Sequence, residues 1–220
     1  MGWFFYLHNM KVIATNIGSP TTVVWNGAEE QTGIFKYPTK VGLFLTQNDV
    51  KGDTVIDRVH HGGINKACYL FSGDYYPYWK ERYPDHDWDW GMFGENLTIS
   101  GMDEAQMRVG NIYKIGSAKV QVSQPREPCY KLGIRFGTQK ILKQFIQHNH
   151  PGTYVKILEE GKVVSGDVFE LLEESKNSLT VQQFYELMFQ KEKPREILNL
   201  FMTNESVPKY KKERFLKYLK

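Results

Sequence analysis

The chain has 220 residues, a formal net charge of +3 and the composition of an ordinary globular protein, with 14% aromatic residues. This length accommodates one sizeable domain, or one domain with a small appendage. The small charge argues against nucleic acid as an obligate partner, and no apolar run reaches the roughly 20 residues that span a bilayer. Two cysteines do not make a disulfide framework, so we expect reduced thiols and a cytoplasmic protein with no membrane partner.

Most of the chain alternates at the period of a β-strand. The N-terminal MGWFFYL is apolar like a signal peptide but lacks a basic start, and we predict a first strand there. A hairpin is predicted at TTVVW and AEEQTGIFK, because Asn26 and Gly27 suit a type I′ turn. Further strands are predicted at VGLFLTQ, KACYLFS, ENLTIS, GNIYKIG, SAKVQVS, TYVKILE and GDVFELLEE. Such dense short strands predict a barrel or a folded-over sheet.

Helical spacing replaces this alternation in two places and again near the C-terminus. GDYYPYWKERY and TQKILKQFIQH predict two helices, the second with Thr138 as its N-cap. After residue 175, SLTVQQFYELMFQ offers Thr180 and Gln183 as a capping box. KPREILNLFM and VPKYKKERFLKYLK place Pro194 and Pro208 at the first helical position. We therefore expect a mainly β domain at residues 1–175 and a three-helix domain at 176–220.

The stretch DRVHHGGINKACYLF, residues 57–71, is the first candidate site. Its glycines permit close backbone approach to an anion, and Lys66 and Arg58 would add positive charge. The alternative, a tight turn with solvated charges, is slightly favoured by this stretch alone. A zinc site at His60 and His61 is disfavoured, since adjacent residues of a strand point to opposite faces.

Two further segments contain polar residues next to turns. In GMFGENLTISG, Glu95 and Asn96 would bind a ligand or satisfy the backbone of the turn, and the segment alone favours the second interpretation. In SQPREPCYKLG, Pro125 and Pro128 stiffen a loop that places Cys129 near Arg126. Nearby cations favour thiolate, which is both a nucleophile and a soft metal ligand. The alternative is a small buried hydrophobe, the role we expect for Cys68.

Taken together and in this order, these segments resemble the MOSC domain, named after the C-terminus of molybdenum cofactor sulfurase. The resemblance is carried by HHGGINKACY, FGENLTISG, VGNIYKIGSAKVQVSQPREPCYKL and the strand pair TYVKILEEGKV and VSGDVFEL. It extends from about residue 10 to residue 175, and the helical tail is similar to the 3-alpha domain of the stand-alone YiiM type. Many relatives begin the first motif with HGG, so His61 matches the family histidine and His60 is additional.

The resemblance implies a β-barrel that binds a molybdenum–pterin cofactor and reduces N-hydroxylated compounds, such as hydroxylamino-purines, amidoximes and hydroxamates, to amines or amidines. Cys129 stands where the family cysteine ligates molybdenum, and is the implied catalytic and metal-binding residue. The implied cofactor-binding residues are Arg58, His61, Gly62, Gly63, Asn65, Lys66, Asn96, Ser123 and Arg126. Pyridoxal phosphate is not predicted, because the chain has no room for the sulfurase's other domain.

Two alternatives to a reductase use the same residues. One is a non-catalytic carrier of the cofactor or of sulfur, and the other is a cysteine hydrolase that pairs Cys129 with His61. For the reductase, the sequence shows no flavin, haem or iron–sulfur signature, so the electrons require a separate donor protein. The basic C-terminal helix would either dock an acidic electron donor or be exposed to solvent. The apolar stripes of the C-terminal helices must be buried against the barrel or against another subunit, which is compatible with a homodimer.

Overall fold

The computed structural model describes residues 10–56 and 62–219, so the strand expected at MGWFFYL lies outside the described residues. Within them the chain forms twelve strands. Their bounds are β1 Lys11–Gly18, β2 Thr21–Trp25, β3 Ala28–Thr32, β4 Lys36–Pro38, β5 Leu43–Leu45, β6 Cys68–Ser72, β7 Leu97–Ser100, β8 Ile112–Ile115, β9 Ala118–Pro125, β10 Thr153–Glu159, β11 Gly161–Val163 and β12 Phe169–Glu173.

The helices lie in two groups. Three of them connect strands, namely α1 Tyr76–Arg82, α2 Tyr130–Arg135 and α3 Lys140–His148. Three more follow the last strand, namely α4 Val181–Phe189, α5 Arg195–Thr203 and α6 Lys209–Phe215. No helix among the described residues has the length and apolar character needed to cross a bilayer.

Eight strands form one sheet in the order β12, β8, β9, β10, β6, β7, β1 and β4. All neighbours in it are antiparallel except β6 and β7, which are parallel. The strands β2 and β3 form a separate hairpin, and β5 pairs with β11. The predicted class, a mainly β domain with helices at the C-terminus, is confirmed.

The expected barrel is not closed. At the open side, β1 meets only the segment that precedes β12, through a bridge between Lys11 and Val168. The turn at Gly166, whose φ is 101°, lies next to this bridge, and its N–H donates a hydrogen bond to the Val12 carbonyl at 2.8 Å. The residues at the turn form a few backbone hydrogen bonds with the start of β1, such as that from the Val12 N–H to the Asp167 carbonyl at 2.9 Å. The two ends of the sheet therefore touch without forming a continuous ladder.

The described part of the chain has two hydrophobic clusters. One lies under α1, α2 and α3 and is largely aromatic, with Trp79, Phe93 and Phe145 at its centre. The other joins the inner face of the sheet to the C-terminal helices, so that Val122 of β9 and Phe184 of α4 share a cluster. The C-terminal helices are therefore packed on the sheet, and their division from it at residue 175 stays a prediction.

Several local predictions can be compared directly with the structure. The capping box of Thr180 and Gln183 is present at the start of α4, and Asn26 and Gly27 both have positive φ. Pro194 and Pro208 are N-caps, one residue before the helices begin. The N-cap of α3 is Gln139 rather than Thr138, whose Oγ1 accepts a hydrogen bond from the Lys140 N–H at 3.3 Å. Sequence signals of this kind define the end of a helix only to within about one residue.

Candidate functional site

An open cleft of about 630 Å³, counting the space that opens to solvent, lies between six separate parts of the chain. These are residues 32–36, residues 53–56, the turn and strand at residues 66–69, the segment of Gly94 and Asn96, the loop around Cys129, and Tyr154 of β10. The volume falls in the range of small-molecule sites in proteins. The cleft brings together Lys66, Asn96, Arg126 and Cys129 of the residues that the sequence predicts.

Cys129 reaches the cleft because a stiff loop separates the end of β9 from α2. It is the N-cap of α2, has extended backbone angles, and its carbonyl accepts a hydrogen bond from the Leu132 N–H at 2.9 Å. Its side chain is half-buried and lines the cleft. The other cysteine, Cys68, is 1% exposed, and burial raises the pKa of its thiol far above the ordinary value. Of the two thiols, Cys129 is the one available for chemistry.

Arg126 is held rigidly beside this thiol. It is 5% exposed, donates a hydrogen bond to the Phe93 carbonyl, and its guanidinium lies 5.0 Å from the ring centroid of Tyr69. Burial alone would lower the pKa of Arg126, but the hydroxyls of Tyr69 and Tyr154 raise it above the ordinary value. The cleft therefore contains a permanent, immobile positive charge.

The cleft is strongly cationic. Among the described residues that line it, four are basic, namely Lys36, Lys66, Arg126 and Lys131, and Asp53 is the only acidic one. Lys66 lies 6.0 Å from the ring centroid of Tyr154, while Lys36 forms an ion pair with Asp53. Such an excess of positive charge in a concave site attracts anionic ligands.

Asn96 and Glu95 are both committed to the protein itself. The Asn96 Oδ1 accepts a hydrogen bond from the Tyr69 N–H at 3.2 Å, and its Nδ2 donates to Asp53 at 2.8 Å. The Glu95 carboxylate accepts hydrogen bonds from the N–H groups of Gly91 at 2.9 Å and Phe93 at 3.1 Å. Glu95 thus satisfies the turn, as the structural interpretation predicts, whereas Asn96 also borders the cleft.

The other predicted residues that the structure describes do not line the cleft, but they lie next to the turn that presents Lys66 or contact it. Gly63, with a φ of 87°, begins the short 3-10 turn Ile64–Lys66 that presents Lys66. Ser123 is fully buried, and its Oγ lies 2.7 Å from the Asn65 carbonyl and 2.9 Å from that of Tyr154. Gly62, Gly63, Asn65 and Ser123 are absent from the described lining of the cleft. Arg58, His60 and His61 lie outside the described residues.

Sequence reasoning missed several residues that line the cleft. Lys36 begins β4 and Asp53 lies in the connection between β5 and β6, and neither segment carries a motif, so no local signal marks them. Tyr69 and Tyr154 are cross-strand partners of β6 and β10, with ring centroids 5.2 Å apart. Their alternation along each strand was visible in the sequence, but their pairing depends on the topology of the sheet.

The sequence of this chain is similar to a known domain family and to known proteins of other organisms. The model of the MOSC domain matches residues 57–170. YflK of Bacillus subtilis is 37% identical over 172 residues, which cover 78% of this chain and 77% of YflK. A protein of Gibberella moniliformis described as a reductase is 35% identical over 150 residues, which cover 67% of this chain and 27% of the reductase.

A solved structure resembles nearly the whole chain. The crystal structure of YiiM from Geobacillus stearothermophilus has a TM-score of 0.79 and 27% sequence identity. The alignment covers 96% of this chain and 100% of that structure, so it includes the C-terminal helices as well as the sheet. The chain belongs to the MOSC domain family.

Proposed function

We propose that this protein holds a molybdenum–pterin cofactor in the cleft and reduces N-hydroxylated compounds to amines or amidines. The family is associated with the molybdenum cofactor, and one relative is described as a reductase. The single observation that carries the proposal is that Cys129 lines a cleft with four basic residues and one acidic residue. A thiol and a cationic surface are the two features that a metal with an anionic pterin requires.

The donor set of the cleft fits this cofactor. The thiolate of Cys129 is a soft ligand suited to a transition metal. Phosphate is bound by guanidinium groups, which are bidentate, and by ammonium groups, which act as point charges. The cleft offers the first in Arg126 and the second in Lys66 and Lys131. Lys36 is already paired with Asp53, so we assign it to the support of the cleft rather than to the phosphate.

The chemistry divides between the cofactor and the chain. Reductive cleavage of an N–O bond takes up two electrons and two protons and releases water, and the cofactor, when bound, would pass electrons from an external donor to the substrate. The chain supplies binding, orientation and electrostatics. Cys129 would hold the metal, the immobile Arg126 would neutralise negative charge of the bound group, and Tyr69 and Tyr154 form an aromatic wall of the cleft.

The electrons come from a separate donor protein. An iron–sulfur cluster is held by several cysteine thiolates, whereas this chain has two cysteines and one of them is buried. Two free thiols also agree with a reducing compartment, and we place the protein in the cytoplasm. The substrate is a small molecule with an N-hydroxyl group.

The proposal is tested by activity with an artificial electron donor. Full-length protein from a host that makes the cofactor is given reduced viologen and either a hydroxylamino-purine or an amidoxime. We expect turnover by the wild type and by the Cys68→Ala control, and loss of turnover in Cys129→Ala. Bound cofactor without reduction of either substrate would overturn the reductase and favour the non-catalytic carrier. Ester hydrolysis that is independent of metal and lost in Cys129→Ala would instead favour the hydrolase.

A further inference from the structure

We propose that Lys211 is a positioning residue for the cleft. From helix α6 it binds Glu127, and through Glu127 it holds the loop that carries Arg126 and Cys129. This inference rests on the proposed function only in taking Cys129 as the functional thiol. It makes the C-terminal helices part of the site, although α6 is far from the loop in sequence.

Glu127 is held by two cations that differ greatly in burial. The Lys211 Nζ contacts one carboxylate oxygen, and the Arg214 Nη1 lies 3.4 Å from the other. The exposed fraction of the side chain is 2% for Lys211 but 60% for Arg214. A buried ammonium without a partner is strongly unfavourable, whereas an exposed ion pair contributes little. Lys211 is therefore the residue that fixes Glu127.

The loop transmits the position of Glu127 to the thiol. Pro125 and Pro128 have no N–H groups, so they form no backbone hydrogen bonds as donors. Pro128 stands between Glu127 and Cys129 and has a fixed φ, which removes one of the backbone torsions between the two residues. We therefore expect a change in the anchoring of Glu127 to change the placement of Cys129.

Helix α6 is itself well anchored, so it can serve as a support. Its Phe215 belongs to the core cluster and lies 4.8 Å from Phe201 between ring centroids. Tyr210 donates a hydrogen bond to the Gln124 Oε1 at 2.9 Å, and the Gln124 Nε2 donates to the Asn65 carbonyl at 3.3 Å. The helix thus contacts both the cysteine loop and, through Gln124, the turn that presents Lys66.

Alkylation of Cys129 by iodoacetamide measures this positioning directly. Cys68 is 1% exposed, so the rate in the native, cofactor-free full chain reports Cys129. We expect Lys211→Met to raise the rate by about tenfold or more, since loss of a charge-assisted contact to a buried group favours local opening. Arg214→Ala removes the exposed partner of the same carboxylate and is the matched control, with a change below about twofold.

A double-mutant cycle separates this contact from general loosening. Glu127→Ala should raise the rate as Lys211→Met does, and Lys211→Met should add little in the Glu127→Ala background. The proposal is overturned if folded Lys211→Met reacts at the wild-type rate, or if its effect is undiminished in that background. If Lys211→Met does not fold, a wild-type rate in Glu127→Ala overturns it equally. Because no cofactor is present, this result is independent of the reductase proposal.

Discussion

Asp53 lines the cleft and connects three separate parts of the chain through one carboxylate. Its Oδ1 accepts a hydrogen bond from the Gly18 N–H at 2.8 Å, and its Oδ2 accepts one from the Asn96 Nδ2 at 2.8 Å. The same Oδ2 forms the ion pair with Lys36. The side chains of Lys36 and Asp53 are 7% and 3% exposed, so each of these buried charges is compensated by the other. The lining of the cleft thus includes a buried ion pair.

Replacing Asp53 should therefore destabilise the whole protein. Asp53→Ala leaves Lys36 buried without its carboxylate, and we expect a loss of about 3–5 kcal/mol in the free energy of unfolding. Urea denaturation measures it. The control is Glu159→Ala, which breaks the exposed pair with Lys119 and should lose less than about 1 kcal/mol. Equal losses in the two variants would contradict a buried, interdependent pair.

Single residues were predictable where the signal is local. Cys129 and Arg126 stand out because prolines and cations surround them within one loop. Lys36 and Asp53 are 17 positions apart, and nothing in either neighbourhood indicates that they meet. The glycine pattern predicts the turn at Gly63. It does not predict that this turn places Lys66 in the lining of the cleft and leaves Asn65 outside the lining.

The C-terminal end of α3 carries a histidine that makes the fold sensitive to acid. His148 is its last residue, stacks on Trp79 with ring centroids 5.1 Å apart, and contacts Tyr78 edge-on at 4.1 Å. Its buried Nδ1 has no hydrogen-bond partner among the described residues. Burial, and then the neighbouring His150, lower the pKa of His148 to about 4. The folded chain therefore keeps this imidazole neutral.

This pKa predicts a loss of stability between pH 6.5 and about pH 4. In the unfolded chain His148 takes up a proton near its ordinary pKa of 6.5, whereas the folded chain resists protonation until about pH 4. The contribution of neutral His148 to the free energy of unfolding is complete above pH 6.5 and decreases as the pH falls towards 4. His148→Phe retains the ring and removes the titration, so its urea midpoint should vary less across this range. Parallel pH profiles for variant and wild type would contradict the assignment.

Elements were predictable where their pattern is regular. The capping box defined α4 because both of its residues act within one turn. The strand β1 was missed because a bulge between Val12 and Ala14 breaks its alternation and leaves residues 14–16 buried in succession. Helix α2 has six residues, too few to display a helical period.

The sheet and the C-terminal helices form one packed structure. Phe184, Phe201 and Phe215 are at most 5% exposed and share a cluster with Val109 and Val122. Burial of each phenylalanine contributes about 1.5–3 kcal/mol, and a domain has only about 5–15 kcal/mol of net stability. The helices therefore supply much of the core of the larger unit.

Removal of the helices should unfold the sheet as well. We expect a chain that ends at residue 175 to lose its cooperative urea transition, because it exposes the apolar face that α4, α5 and α6 cover. Full-length protein measured under the same conditions is the reference. A sharp transition in the shortened chain, with a midpoint near that of the full chain, would instead show two independent units.

The class of the molecule was predictable from its sequence, but the closure of the sheet was not. Many short alternating segments separated by glycine turns predict a barrel or a folded-over sheet. Whether its ends join depends on a contact between β1 and the turn at Gly166, which are distant in sequence. The contact between α6 and the cysteine loop is similarly long-range, and no pattern in either segment predicts it.

The central claim is that Cys129 and the cations around it hold a molybdenum–pterin group. Its most direct test is the molybdenum and pterin content of full-length protein from a host that makes the cofactor. Wild type, Cys129→Ala and the buried control Cys68→Ala are purified in parallel. The account predicts near-stoichiometric molybdenum in the wild type and in Cys68→Ala, and much less in Cys129→Ala. Absence of molybdenum from the wild type, or equal content in all three proteins, would contradict it.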